Sequence, residues 1–100
     1  MYEVVSITGP IGSFRANEVS GKKVVNVSIA VNNGKESTQW WDVALWGEQA
    51  ETFEKLEVEK GAIIQATLRG ITAHAYMKDD KPQAALKAQG TYFRILSSKK

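Results

Sequence analysis

Over most of this chain the apolar positions recur every second residue, the period of a half-buried strand. Val5 and Ile7 alternate with Val4, Ser6 and Thr8, and Gly9-Pro10 and Gly12 then bend or break the run. Val25, Val27, Ile29 and Val31 form a second apolar row between Asn26, Ser28, Ala30 and Asn32. Asn33-Gly34, a strong hairpin signal, follows at once and leads into a third strand from about Thr38 to Trp46.

The period then changes. From Gly47 to about Val58 the chain is rich in glutamate, and Ala50, Phe53 and Leu56 fall three apart, on one helical face, with Lys60-Gly61 as the stop. Ala62 to about Tyr76 reads as a long strand, bent near Gly70 where a missing side chain permits a bulge. Lys78-Asp79-Asp80-Lys81-Pro82 is a charged turn, and a last strand covers roughly Ala84 to Leu96. Three strands, one helix and two strands are the order of the OB fold, a five-stranded Greek-key barrel with its helix between strands three and four. An SH3-like barrel and an α+β sheet are the alternatives, and neither normally places its only helix here. The expectation is therefore an all-β chain with one OB-fold domain over residues 1–96 and a basic C-terminal tail at 97–100.

Composition narrows the function. One hundred residues suffice for one compact domain, and the absence of cysteine excludes a disulfide scaffold and thiolate zinc sites. The N-terminus has no signal-peptide pattern and no apolar run approaches a membrane span, so a cytoplasmic location without membrane contact is expected. The net charge of +2 is unevenly spread: residues 47–60 carry five glutamates against two lysines, which leaves +5 on the remainder. Such segregation frees the rest of the surface for a polyanion. Catalysis has few parts, with one histidine, His74, and no cysteine, while Asp79-Asp80 reads as a turn. The chain is read as a binding protein, not an enzyme, with no catalytic residue, metal or cofactor.

The third strand carries the chemistry. By strand parity Trp41, Val43 and Leu45 share one face, and Trp40, Asp42, Ala44 and Trp46 share the other. The first set is the more apolar and belongs to the core or a subunit contact. Trp40 and Trp46 are then left outward beside a carboxylate that resists burial. Nucleobases explain two outward indoles, because a base stacks on an aromatic face for about 1–3 kcal/mol whatever its identity. The competing reading has one tryptophan capping the barrel and the other packed under a loop.

These segments resemble the bacterial single-stranded DNA-binding proteins of replication and repair. Thr38-Gln39-Trp40-Trp41-Asp42-Val43-Ala44-Leu45-Trp46-Gly47 is similar to that family's Thr-Glu-Trp-x-x-Val-x-Leu-Phe-Gly. Val5 to Gly12 is similar to its opening strand ending in Gly-Asn-Leu-Gly, and Val25 to Ala30 to its Ala-Asn-Ile-Thr-Leu-Ala. The resemblance implies single-stranded DNA bound with little sequence preference, with Trp40 and Trp46 stacking on bases. It places a third stacking aromatic near Ala75, where Tyr76 is adjacent. It also implies a homo-oligomer, a tetramer before a dimer, with Trp41, Val4 and Ser6 at the subunit contact.

Phosphates need cations along the same path. Candidates are Arg69 on the same strand as Tyr76, Lys22 and Lys23 at the start of strand two, Arg15 next to Phe14, Lys35 in the loop between strands two and three, and Lys78 and Lys81 in the last loop. The pattern leaves the facing of Lys87 and Arg94 open. Asp42 departs from the family, which often has a basic residue there, and is expected either to repel phosphate or to pair with Arg69 or another cation. The family's acidic C-terminal tip is also missing, since the chain ends in Lys99-Lys100; a truncated or tail-less member is expected, without tail-mediated partners. The alternative function is an OB-fold accessory module for protein or RNA contact, such as a primosome component.

Overall fold

The computed structural model describes residues 5–32, 38–78 and 81–97, with backbone alone at 74, 76, 78 and 81–85. Its elements are β1 (Val5–Val19), β2 (Lys22–Asn32), β3 (Thr38–Trp46), α1 (Glu48–Lys55), β4 (Ile63–Lys78) and β5 (Lys81–Ser97). The strands close into a barrel in the order β1-β2-β3-β5-β4, with β4 paired back onto β1. All pairings are antiparallel except β3 with β5. This is the five-stranded OB-fold barrel that the element order predicts.

Alternation builds the core. Val25, Val27 and Ile29 of β2, Val43 and Leu45 of β3, and Ile64, Ala66 and Leu68 of β4 all turn inward and are fully buried. Ile7 and Ile11 of β1 and Ala88 and Phe93 of β5 complete the wall, and Ala50 and Phe53 of α1 close one end. Helix α1 is oriented by charge as well as by its apolar face. Glu48 and Glu51 stand in its first turn and Lys55 in its last, the arrangement that complements the helix dipole.

Strand β1 departs from the sequence reading. Gly9-Pro10 and Gly12 do not end it; the strand continues to Val19. The glycines serve a change of partner. Val5 to Pro10 pair with β4, and from Ile11 onward the strand pairs with β2, with a register shift between Ile11 and Ser13. At Gly9 the two backbones meet: an added Cβ would lie 2.0 Å from the Ala30 carbonyl oxygen. The second half of β1 was not legible because its residues are nearly all exposed and mixed in polarity. It is held by the ladder to β2, closed by a two-residue turn at Ser20 (φ 51°) and Gly21 (φ 79°), the backbone of a tight hairpin.

Two other boundaries are corrected. The helix ends at Lys55, before the expected Val58, because Glu57 adopts φ 50° and breaks it. Leu56, expected on the buried face, is thus 53% exposed. The last hairpin is longer than expected: β4 runs to Lys78 and β5 starts at Lys81, with Pro82 inside the strand opposite Met77. Residues 81–85 pair with β4 alone, and pairing to β3 begins at Leu86. Pro82 is therefore tolerated, because that stretch of β5 is an edge. The bend at Gly70 is present, as a register shift between Arg69 and Thr72 with Gly70 at φ 65°. The expected turn at Asn33-Gly34 lies outside the described residues, but β2 and β3 form the antiparallel pair it calls for.

The crossing at Gly9 yields a stability prediction. Gly9→Ala pushes a methyl group into a backbone oxygen that no rotamer change can move, and should lower the unfolding free energy by about 3 kcal/mol. Ser13→Ala, exposed on the same strand, should change it by under about 0.5 kcal/mol. Urea melts of both variants check this; a Gly9→Ala protein as stable as the wild type would mean β1 does not cross β2 this closely.

Candidate nucleic-acid interface

The parity that fills the core places the alternate residues of the same strands on one outer face. Ladder pairing arranges them in rows. Ser13, Ser28, Asp42, Lys87 and Thr72 lie side by side across all five strands. The next row is Arg15, Asn26, Ala44, Gln89 and Arg69. Trp40 stands opposite Ala30 at one end of the face, and Trp46 opposite Val24 at the other. Six residues of strand separate the two indoles by about 20 Å. The face is concave from Trp46 to the row of Asp42, an open groove of about 750 Å3 with a polar floor that includes Asn26, Ser28, Asp42 and Gln89; Trp40 stands beyond it, two residues from Asp42 on β3.

Both tryptophans are presented as the parity of β3 requires. Trp40 is 42% and Trp46 38% exposed. Trp40 is also supported from below, since a Cβ on Gly12 would come within 2.5 Å of its ring. Gly12 thus seats the indole against β1 while part of it faces solvent. Trp46 belongs to two grooves. A second depression of about 590 Å3 is lined by Val19, Ser20, Lys22, Trp46, Arg69, Gln89, Gly90 and Thr91. Trp46 and Gln89 line both depressions, so the two meet there. Lys22 and Arg69 border Trp46 on this side, and Arg15 and Lys87 line the larger groove.

Not every expected residue comes to this face. Lys23 lies one step from Lys22 and points the other way, where its ammonium pairs with Glu54 of α1 at 2.8 Å. The hydrogen bond that Lys23 donates to the Glu54 carboxylate, and then that carboxylate's charge, raise the Lys23 pKa; desolvation opposes them, and Glu51 and Glu18 add to the rise. Lys23 is committed to the acidic helix. Phe14 has core parity, opposite Val27, and its ring meets Phe53 edge-on at 5.3 Å. Phe53 in turn lies 5.8 Å from Phe93, so Phe14 extends the core aromatics to the surface, where it also lines the groove.

Asp42 does not pair with Arg69. The register sets Lys87 beside Asp42 and sets Arg69 beside Gln89, one row away. Among the described residues no ion pair or hydrogen bond engages Asp42. Lys87 is the cation the sequence left unassigned: Ala84, Ala85, Leu86 and Ala88 around it are too uniformly apolar to fix a parity, and only the ladders to β3 and β4 do so. Arg94 stands opposite Gln65 and lines neither groove.

Tyr76 and Lys78 sit on β4 and Lys81 on β5, in the two-stranded arm beyond the barrel, with Tyr76 opposite Gln83 and Lys78 opposite Lys81. Their side chains, like Lys35 and Val4 as a whole, lie outside the described residues. Ser6 accepts a hydrogen bond from Gln65 Nε2 at 3.4 Å on the outside of the barrel. Trp41 is half-buried and packs against the core, between Ile29 and Leu86.

Known proteins share this architecture. Crystal structures of a mitochondrial single-stranded DNA binding protein from S. cerevisiae superpose with TM-scores of 0.73 in one crystal form and 0.70 in another, each at 22% identity. The first match covers 99% of both chains, and the second 99% of this chain and 100% of the other. No curated protein matches the sequence. The model of the single-strand binding protein family matches residues 3–88. With that match over most of its length, the chain belongs to the single-strand binding protein family.

Proposed function

We propose that this chain binds and coats single-stranded DNA along the groove between Trp40 and Trp46, with little dependence on sequence. The observation that carries the reading is the pair of half-exposed indoles at the two ends of one polar, concave strand face. Bases stack on Trp40 and Trp46, and phosphates follow Arg15, Lys22 and Arg69 along the edges, while Lys87 stands on the floor beside Asp42. The acidic helix closes one end of the barrel and takes Lys23 out of the basic set. Belonging to the single-strand binding protein family supports the same ligand; a role in replication, recombination and repair is part of this proposal. The smooth aromatic faces favour single strands over duplex, in which both faces of every base are already stacked.

A homo-oligomer, tetramer before dimer, is part of this proposal. The first half of β1, which carries Ser6, and the half-buried Trp41 are the proposed contacts. Tyr92, opposite Thr67 and 56% exposed, extends the row that holds Ser6 and adds an apolar ring to that surface. Sedimentation at micromolar concentration should show an assembly larger than one chain; a monomer would remove this part of the proposal.

Titration of tryptophan fluorescence tests the ligand. Oligo-dT should quench it strongly and duplex DNA only weakly. Three edge cations give a slope of log K against log salt of about −2. Duplex binding as tight as oligo-dT binding would overturn the reading, and oligo-rU binding tighter than oligo-dT would turn it to RNA.

Substitutions should separate the faces. Trp40→Ala and Trp46→Ala should each weaken oligo-dT binding by about 1–3 kcal/mol with the melting curve little changed, since both rings are half-exposed. Lys22→Ala should weaken binding several-fold and flatten the salt slope by about 0.7, whereas Lys23→Ala should leave both unchanged. Equal effects of the two lysines would contradict the assignment of Lys23 to Glu54.

A further inference from the structure

Asp42 is an unexpected side chain in a groove for a polyanion. It lies at the centre of the larger groove, exposed, in the row Ser13, Ser28, Asp42, Lys87, Thr72. Along β3 it stands about 7 Å from Trp40. No ion pair or hydrogen bond among the described residues occupies its carboxylate, although Lys87 is its neighbour on β5.

An ionised carboxylate repels phosphate, so the backbone of a bound strand keeps to the cations at the groove edges, at Arg15, Lys22 and Arg69. What meets the floor is then the edge of a base. A carboxylate only accepts hydrogen bonds, so the base edge that satisfies it must donate. Cytosine offers an N4 amino group, a known partner of Asp and Glu, with an acceptor, N3, directly beside it. Thymine places the O4 carbonyl where cytosine has its amino group, and its one donor, N3–H, lies between two carbonyl oxygens that repel the second carboxylate oxygen. The ammonium of Lys87, a donor with no acceptor function, is set in the adjacent strand to meet the acceptor next to the amino group.

We propose that Asp42, together with Lys87, reads the edge of the base adjoining Trp40 and biases the groove toward bases carrying an exocyclic amino group, cytosine over thymine. This rests on the groove's being the single-strand site. It adds one position of base choice to an otherwise sequence-tolerant stacking surface. Asp42 is thus a specificity-determining residue, and its charge also keeps the backbone off the floor.

Length-matched oligo-dC and oligo-dT, titrated by tryptophan fluorescence at one salt concentration, test the proposal. The wild-type protein should bind oligo-dC about fivefold tighter than oligo-dT. Asp42→Ala should bring the ratio close to one. An oligonucleotide of N4,N4-dimethylcytosine, which keeps the ring but lacks the amino donors, should lose the advantage on the wild-type protein. Equal wild-type affinities for dC and dT would overturn the proposal while leaving the single-strand site intact. So would an Asp42→Ala protein that binds both strands more tightly by the same factor, because the carboxylate would then act as a charge alone. Failure of every single strand to quench the tryptophans would overturn the site itself, and this proposal with it.

Discussion

Strand β1 belongs to both halves of the barrel, and the closure of the sheet passes through the few residues where it changes partner. Its first six residues complete the ladder to β4, and from Ile11 it completes the ladder to β2. The change demands that one backbone cross another at contact distance, which Gly9 permits against Ala30. Three positions on, the same bend leaves a side-chain-free spot at Gly12 that receives the ring of Trp40. Closing the barrel and seating one end of the proposed binding groove are thus consequences of one local geometry. A chain that ended β1 at Gly9 would have an open sheet edge and an unsupported indole.

Charge follows the same division of space. Helix α1 plugs one end of the barrel with Ala50 and Phe53 and exposes its glutamates there. Lys23 is drawn to that end by Glu54, whereas Lys22, one residue earlier, borders the depression next to Trp46. Strand parity alone separates the two lysines, since adjacent residues face opposite sides of a sheet. Among the described residues the groove consequently has Arg15, Lys22 and Arg69 at its edges and one carboxylate, Asp42, on its floor beside Lys87. A floor with one acceptor and one donor side by side is suited to base edges, and edges lined by guanidinium and ammonium groups are suited to phosphate.

Legibility in the sequence varied with the physics at each position. The five strands, the helix and the split of β3 into an apolar and an indole-bearing face were readable because period-2 burial is a local property of the chain. The facing of Trp40 and Trp46 followed from it directly, and so did the outward position of Arg69. The second half of β1 was hidden because it buries almost nothing and is held by backbone pairing, which leaves no hydrophobic trace. Lys87 was hidden among small apolar neighbours. Which cation stands beside Asp42, Arg69 or another, was not legible, since register between β4 and β5 depends on bulges at Thr67/Leu68 and Arg69/Thr72 that residue types do not specify.

What the amino-acid order determined by itself was therefore the inventory: which segments form strands, which face of each is apolar, and that two indoles must face outward together. Only the tertiary structure decided which residues of different strands stand side by side. It put Lys87 next to Asp42, Gly12 beneath Trp40, and Lys23 against Glu54. The reason is that alternation acts within a strand, whereas neighbourhood on a closed sheet is set by register between strands distant in sequence. Register in turn depends on where the chain can bulge, cross and close.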